Sequence, residues 1–159
     1  MARPRVVLKL GGELLEQPAD LERIARQIVA LAARTSLVVV HGGGREIDAG
    51  LAAAGIPKQQ VDGLRVTDAP TLGVVVSVVA GAINTRLVGA VRKAGGQPVG
   101  LTGADAGVAV MRRAAPITSV AGDRVDLGLV GTPTAGAPAL LLDLLRRDRK
   151  STRLNSSHR

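Results

Sequence analysis

A chain of 159 residues with 46% hydrophobic content is long enough for one domain with a real aliphatic core. It holds no Phe, Tyr or Trp, so no ring is available to stack on a base, and no cysteine, which excludes disulfides and thiolate chemistry. The net charge of +8 is dispersed among acids along the predicted helices, apart from Lys150, Arg153 and Arg159 in an acid-free end segment, and marks no nucleic-acid or membrane patch.

Val6 to Leu10 reads as a strand that carries Lys9 and stops on Gly11 and Gly12. In Asp20 to Arg34, Leu21, Ile24, Ile28 and Leu31 recur at helical spacing and form one apolar stripe suited to pack on a sheet. A second strand, Leu37 to Val40, follows at once. The order strand, helix, strand predicts an α/β fold with a right-handed crossover and parallel strands, and ligands in such sheets sit at the carboxyl ends of the strands. There the second strand runs into His41-Gly42-Gly43-Gly44, whose consecutive amides an anion can approach.

A helix from about Glu46 to Ala54 is stopped by Gly55, with Pro57 beyond. Lys58 to Thr67 reads as irregular. Asp68 is placed as an N-cap with Pro70 in the first turn, and the helix it opens extends to Lys93 before Gly95-Gly96. Apolar on several faces, that helix is either buried or packed against a second subunit. Its apolar stretch, Leu72 to Ile83, falls short of the roughly 20 residues a bilayer requires. The first ten residues carry no signal-like run, so a soluble, cytoplasmic chain is expected.

Further on, Pro98 to Leu101 reads as a strand, and Val108 to Arg112, Ile117 to Val120 and Arg124 to Leu129 as short strands of a meander lying over the sheet. A last helix is predicted over about Pro138 to Asp148. Lys150 to Arg159, rich in Ser and Arg without apolar period, is expected to be a non-native tail, with a native disordered tail as the alternative. The domain is accordingly placed at 1–149 and the tail at 150–159.

Lys9 is a candidate counter-charge for an anion or, equally, a lysine on the solvent face of its strand. Arg65, in Gly63-Leu64-Arg65-Val66-Thr67, either clamps a carboxylate with its planar fork or is a surface arginine. His41 is read as structural, and no metal site is expected. The glycines match neither a phosphate-loop pattern ending in Gly-Lys-Ser/Thr nor the Gly-x-Gly-x-x-Gly of dinucleotide folds.

Taken in order, KLGG at Lys9 to Gly12, VHGGG at Val40 to Gly44, GLRVT at Gly63 to Thr67 and AGxxN at Ala80 to Asn84 resemble the amino-acid kinase family, nearest to its acetylglutamate kinases. Val99 to Asp105 and Val125 to Gly131 continue the likeness, which spans residues 5 to 148. The resemblance implies a three-layer α/β sandwich with a mostly parallel central sheet, here truncated. It implies phosphoryl transfer from ATP to the side-chain carboxylate of N-acetyl-L-glutamate, in arginine biosynthesis. It makes Lys9 the catalytic lysine, Gly43, Gly44 and Arg65 the substrate-binding residues, and Gly11, Gly12 and Gly42 the phosphate-adjacent glycines. Asn84 matches a family position without an assigned role. ATP and Mg2+ belong to the full-length enzymes and are not expected to bind this chain tightly; a homodimer is expected, and the isolated chain is expected to be inactive. An aminoadipate-type carboxylate kinase and a non-enzymatic acidic-metabolite-binding module are the alternatives.

Overall fold

Alternation along Arg5–Leu10 (β1) sets the first layer, because Val6, Leu8 and Leu10 turn inward while Arg5, Val7 and Lys9 are exposed. The structure, a computed structural model, describes residues 3–154, with side chains to Arg146. β1 pairs in parallel with Ser36–His41 (β2), in a register that places Lys9 opposite Val40 and Leu10 opposite His41. Between them runs Pro18–Ala32 (α1), whose buried Leu21, Ile24, Ala25 and Ile28 form the stripe the spacing predicts. The parallel strand–helix–strand unit is therefore as expected.

Gly44–Ala53 (α2) follows β2. The segment read as irregular holds a minimal antiparallel hairpin, Gln60–Val61 (β3) against Leu64–Arg65 (β4). Asp62 and Gly63 turn it, at φ of 50° and 79°, a pair suited to a tight left-handed turn. Asp68 then caps Ala69–Val76 (α3), accepting from the Thr71 amide at 2.8 Å as predicted. The helical run continues through a π-helical stretch, Ser77–Ile83, into Asn84–Lys93 (α4). Ser77 opens that stretch by donating its hydroxyl back to the Gly73 and Val74 carbonyls, at 3.0 and 3.1 Å, a bond that competes with regular helix geometry.

Leu10, Leu15 and the α1 stripe meet Ile83, Leu87 and Val91 in one core on a single face of the β1–β2 sheet. The other face leaves Val7 71% and Val40 48% exposed. The whole run Ala69–Lys93 is 25 residues long with mean hydropathy 1.8, so by length and composition it could cross a membrane, which the shorter apolar stretch could not. It buries Ile83, Leu87 and Val91 in the core and carries Arg86, Arg92 and Lys93.

Pro98 to Leu101 forms no strand; Gly100 packs instead on the Asn84 side chain, where a Cβ would stand 2.7 Å from Nδ2. The later strands do not follow meander order. Met111–Arg113 (β5) pairs with Gly131–Pro133 (β8), and Ile117–Thr118 (β6) with Arg124–Val125 (β7), so one antiparallel pair is nested in the other. They attach to the loop around Thr67, whose amide donates to Leu127 O at 2.9 Å and whose carbonyl accepts from Leu129 N at 2.7 Å. Ala139–Leu154 (α5) runs past Asp148, since the sequence there has no glycine or proline to stop a helix. The proposed tail is thus helical to Leu154, and 155–159 lie outside the described residues.

Candidate functional site

The two strands end side by side, and the Gly42 amide extends their ladder by donating to Leu10 O at 3.3 Å. Beyond that point the glycine turns touch backbone to backbone. A Cβ on Gly12 would lie 2.7 Å from Gly43 Cα and 2.9 Å from Gly43 N. A Cβ on Gly43 would in turn strike Ile83 Cδ1. Gly42 and Gly44, by contrast, face open space. These glycines therefore divide into those whose missing side chain allows close packing, Gly12 and Gly43, and those with open space where a side chain would stand, Gly42 and Gly44.

Gly44 is the first residue of α2, and Gly43 precedes it as a cap without any side-chain bond to the first amides. An uncapped helix N-terminus carries free N–H groups and partial positive charge, which favours an anion. Gly11 is crowded only by the carboxylate of exposed Glu13, which can swing away. Lys9 is exposed and has neither ion pair nor hydrogen bond among the described residues, so its ammonium is uncommitted beside the sheet edge. His41 lies with Nδ1 3.3 Å from Gly42 O.

Arg65 is no surface arginine. Its side chain is 16% exposed, and Nη2 donates to Asp48 Oδ1 at 2.5 Å. Lys58 Nζ holds the other oxygen of Asp48 at 2.7 Å. These two bonds, that from Lys58 first, hold the Asp48 carboxyl below its ordinary value. Two cations around one carboxylate leave a net positive charge, and Arg65 Nη1 is buried without a hydrogen-bond partner. Asp48 stands four residues along α2 from Gly44, about 6 Å by helical rise, and it is there that Arg65 meets α2.

The sequence carries no local signal of this role for Asp48, because its partner Arg65 lies 17 residues on. Glu46, legible in the sequence only as a helix start, takes Arg86 Nη2 at 2.6 Å and Nη1 at 3.1 Å. Asn84 contacts Gly100, joining α4 to the 97–101 segment. Among the described residues no group of three or more His, Cys, Asp or Glu stands close enough to hold a metal.

The model of the amino acid kinase family matches residues 4–149. The chain belongs to the amino acid kinase family. Among curated relatives, this amino acid kinase chain is 40% identical to the acetylglutamate kinase of Ruegeria pomeroyi over 144 residues, 90% of the chain and 47% of that enzyme. It is 44% identical to the acetylglutamate kinase of Sorangium cellulosum, over 88% of the chain and 50% of that enzyme. The chain spans about half the length of the curated relatives it matches. Among solved structures it superposes on N-acetylglutamate synthase from Neisseria gonorrhoeae, complexed with coenzyme A and N-acetyl-glutamate, with TM-score 0.70 and 28% identity, over 92% of this chain and 32% of that one. The likeness read from the four motifs is thereby borne out at the level of the family and of its curated relatives named acetylglutamate kinase.

Proposed function

We propose that this chain carries the acyl-amino-acid half-site of an acetylglutamate kinase, over residues 1–149, and that 150–159 are a non-native tail. The observation that carries the reading is the cluster of net positive charge that Lys58 and Arg65 form around Asp48, which stands four residues from Gly44 on α2. A substrate α-carboxylate is a matching acceptor for that charge, in a charge-assisted bond. Relatives named acetylglutamate kinase, and a superposable structure that holds N-acetyl-glutamate, support that ligand over other acids.

In this reading Arg65 fixes the α-carboxylate, and the amides of Gly43 and Gly44 receive the side-chain end of the substrate at the α2 N-terminus. The side-chain carboxylate is ionised at neutral pH and needs no base to act as nucleophile. What opposes reaction is repulsion between two anions, which Lys9 and the Gly11, Gly12 and Gly42 backbone offset by charge and fixed dipoles. ATP with magnesium supplies the transferring phosphoryl group when bound. The open glycine turns fit its phosphate, whereas recognition of adenine and metal is assigned to sequence outside this chain. Turnover by the chain alone is therefore not expected.

The exposed face of the β1–β2 sheet is assigned to a further layer in the complete, cytoplasmic enzyme, completing a three-layer sandwich around a larger parallel sheet. The exposed apolar side of the 69–83 helix, where Val76 is 54% exposed, is assigned to a homodimer contact rather than a membrane. Calorimetric titration with N-acetyl-L-glutamate tests the half-site. Saturable binding that is lost with unacetylated glutamate and in Arg65→Ala is the expected result. Preference for an aminoadipate derivative would transfer the assignment to that kinase class, and no binding by the folded chain would overturn it.

A further inference from the structure

Arg86 lies outside the residues assigned above, on α4, yet it reaches the segments behind both glycine turns at once. Nη2 donates to Glu46 Oε1 at 2.6 Å and to the Leu15 carbonyl at 3.2 Å, while Nη1 donates to Glu46 Oε2 at 3.1 Å. Leu15 ends the 3-10 turn Gly12–Leu15, and Glu46 sits in the first turn of α2. One guanidinium thus ties together the two chains that leave β1 and β2, from 71 and 40 residues away in sequence. Its fork restrains distance and direction together, which a point charge does not. The Gly12–Gly43 contact that it overlooks has no slack for even one methyl group.

We infer that Arg86 is a positioning residue that sets the relative placement of the Gly11–Gly12 and Gly42–Gly44 turns, and hence the spacing of the amides offered to an anion. Its consequence for binding rests on the half-site proposed above; its geometry does not. Glu46, by its paired hydrogen bonds above all, holds the guanidinium above its ordinary pKa, so Arg86 keeps its charge. The buried Nε of Arg86 has no partner, which leaves the terminal nitrogens as the side chain's polar anchors.

The test is amide hydrogen exchange by NMR on the full chain, with and without N-acetyl-L-glutamate, for the parent, Arg86→Gln, Arg86→Lys and Glu46→Gln. Arg23→Gln is the control, since its exposed pair with Asp20 touches neither turn. Arg86→Gln is expected to speed exchange about tenfold at the Ile47 amide, held by Gly43 O, and the Leu14 amide, held by Gly11 O, relative to α1. Arg86→Lys should restore part of this, and affinity for N-acetyl-L-glutamate should fall about tenfold in Arg86→Gln. A uniform loss of protection across α1, β1 and β2, with Lys no better than Gln, would mark a merely structural residue and overturn the inference. Unchanged exchange at both turns would do the same. If Arg86→Gln fails to fold, Arg86→Lys and Glu46→Gln give the same readings. Should the parent not bind the ligand while its turns still respond to Arg86, the half-site falls and the positioning role stands. If the parent binds and Arg86→Gln binds as tightly, the positioning role falls alone.

Discussion

The part of the chain before Gly96 and the hairpin segment after it are built from similar aliphatic residues and held by different forces. Among the described residues, Leu127 is the sole buried hydrophobic side chain beyond Val91. The first part closes around Leu10, Ile24, Ile28, Ile83 and Leu87, whereas the second leaves Val99, Val110, Met111, Val120 and Leu129 exposed. It is tied down by backbone bonds to Thr67 and by the Asp62 carboxylate, which accepts from Val120 N at 2.8 Å. Apolar burial thus fixes the glycine turns and α2, while the loop that carries Arg65 is gripped on its far side by a few hydrogen bonds. In the proposed half-site, the glycine turns would then be the better packed end and the Arg65 loop the end held by fewer contacts.

Ile83→Ala should separate the two parts most sharply, because it removes a fully buried side chain that also backs Gly43. A loss of about 2–5 kcal/mol is expected in denaturant unfolding. Gly12→Ala comes next, at about 1–3 kcal/mol, since its methyl would enter a backbone contact. Gly44→Ala, in open space, should stay within about 0.5 kcal/mol while still weakening anion binding. An equal cost at Gly12 and Gly44 would break the division of the glycines drawn here.

Gly128→Ala probes the weaker part. At φ of 76° its methyl would collide with Thr67 O, for about 1–3 kcal/mol. Exchange should quicken in the 111–133 hairpins and stay slow in α1; equal acceleration in both would show one cooperative unit instead.

The smallest effect concerns acid. The Asp48 carboxyl lies below its ordinary 3.8, so its pairs with Lys58 and Arg65 support the native state above that pH. That support is lost as pH falls through the lower native value. Asp48→Asn should flatten the pH dependence of stability below about pH 4, read from denaturant midpoints. An unaltered acid limb would mean that the carboxylate is not held as described.

The first unit, β1–α1–β2, was legible because period-two and helical patterns coincide there with actual burial. Asp68 was legible as a cap for the same local reason. The β3–β4 hairpin was not, since two-residue strands carry no period; its signal lay in Asp62-Gly63, masked by Pro57 and the flanking glutamines. Nor was the π-helical stretch, because Val74 to Ile83 is apolar on every side and leaves the phase of the helix undefined. Pro98 to Leu101 has the composition of a strand but no ladder partner in the structure. In the site, glycines announce themselves by type. Asp48–Arg65 and Glu46–Arg86 join residues 17 and 40 apart, and pairs at such separations leave no local pattern.

The most direct test of the half-site is an NMR titration of the isotope-labelled chain with N-acetyl-L-glutamate, following the glycine amides and the arginine side-chain signals together. Saturating shifts are expected at Gly42, Gly43, Gly44 and the Arg65 guanidinium with one common affinity, and none in the 111–113 and 131–133 strands. Shifts that saturate elsewhere, or a folded chain whose glycine and Arg65 signals do not move, would contradict it.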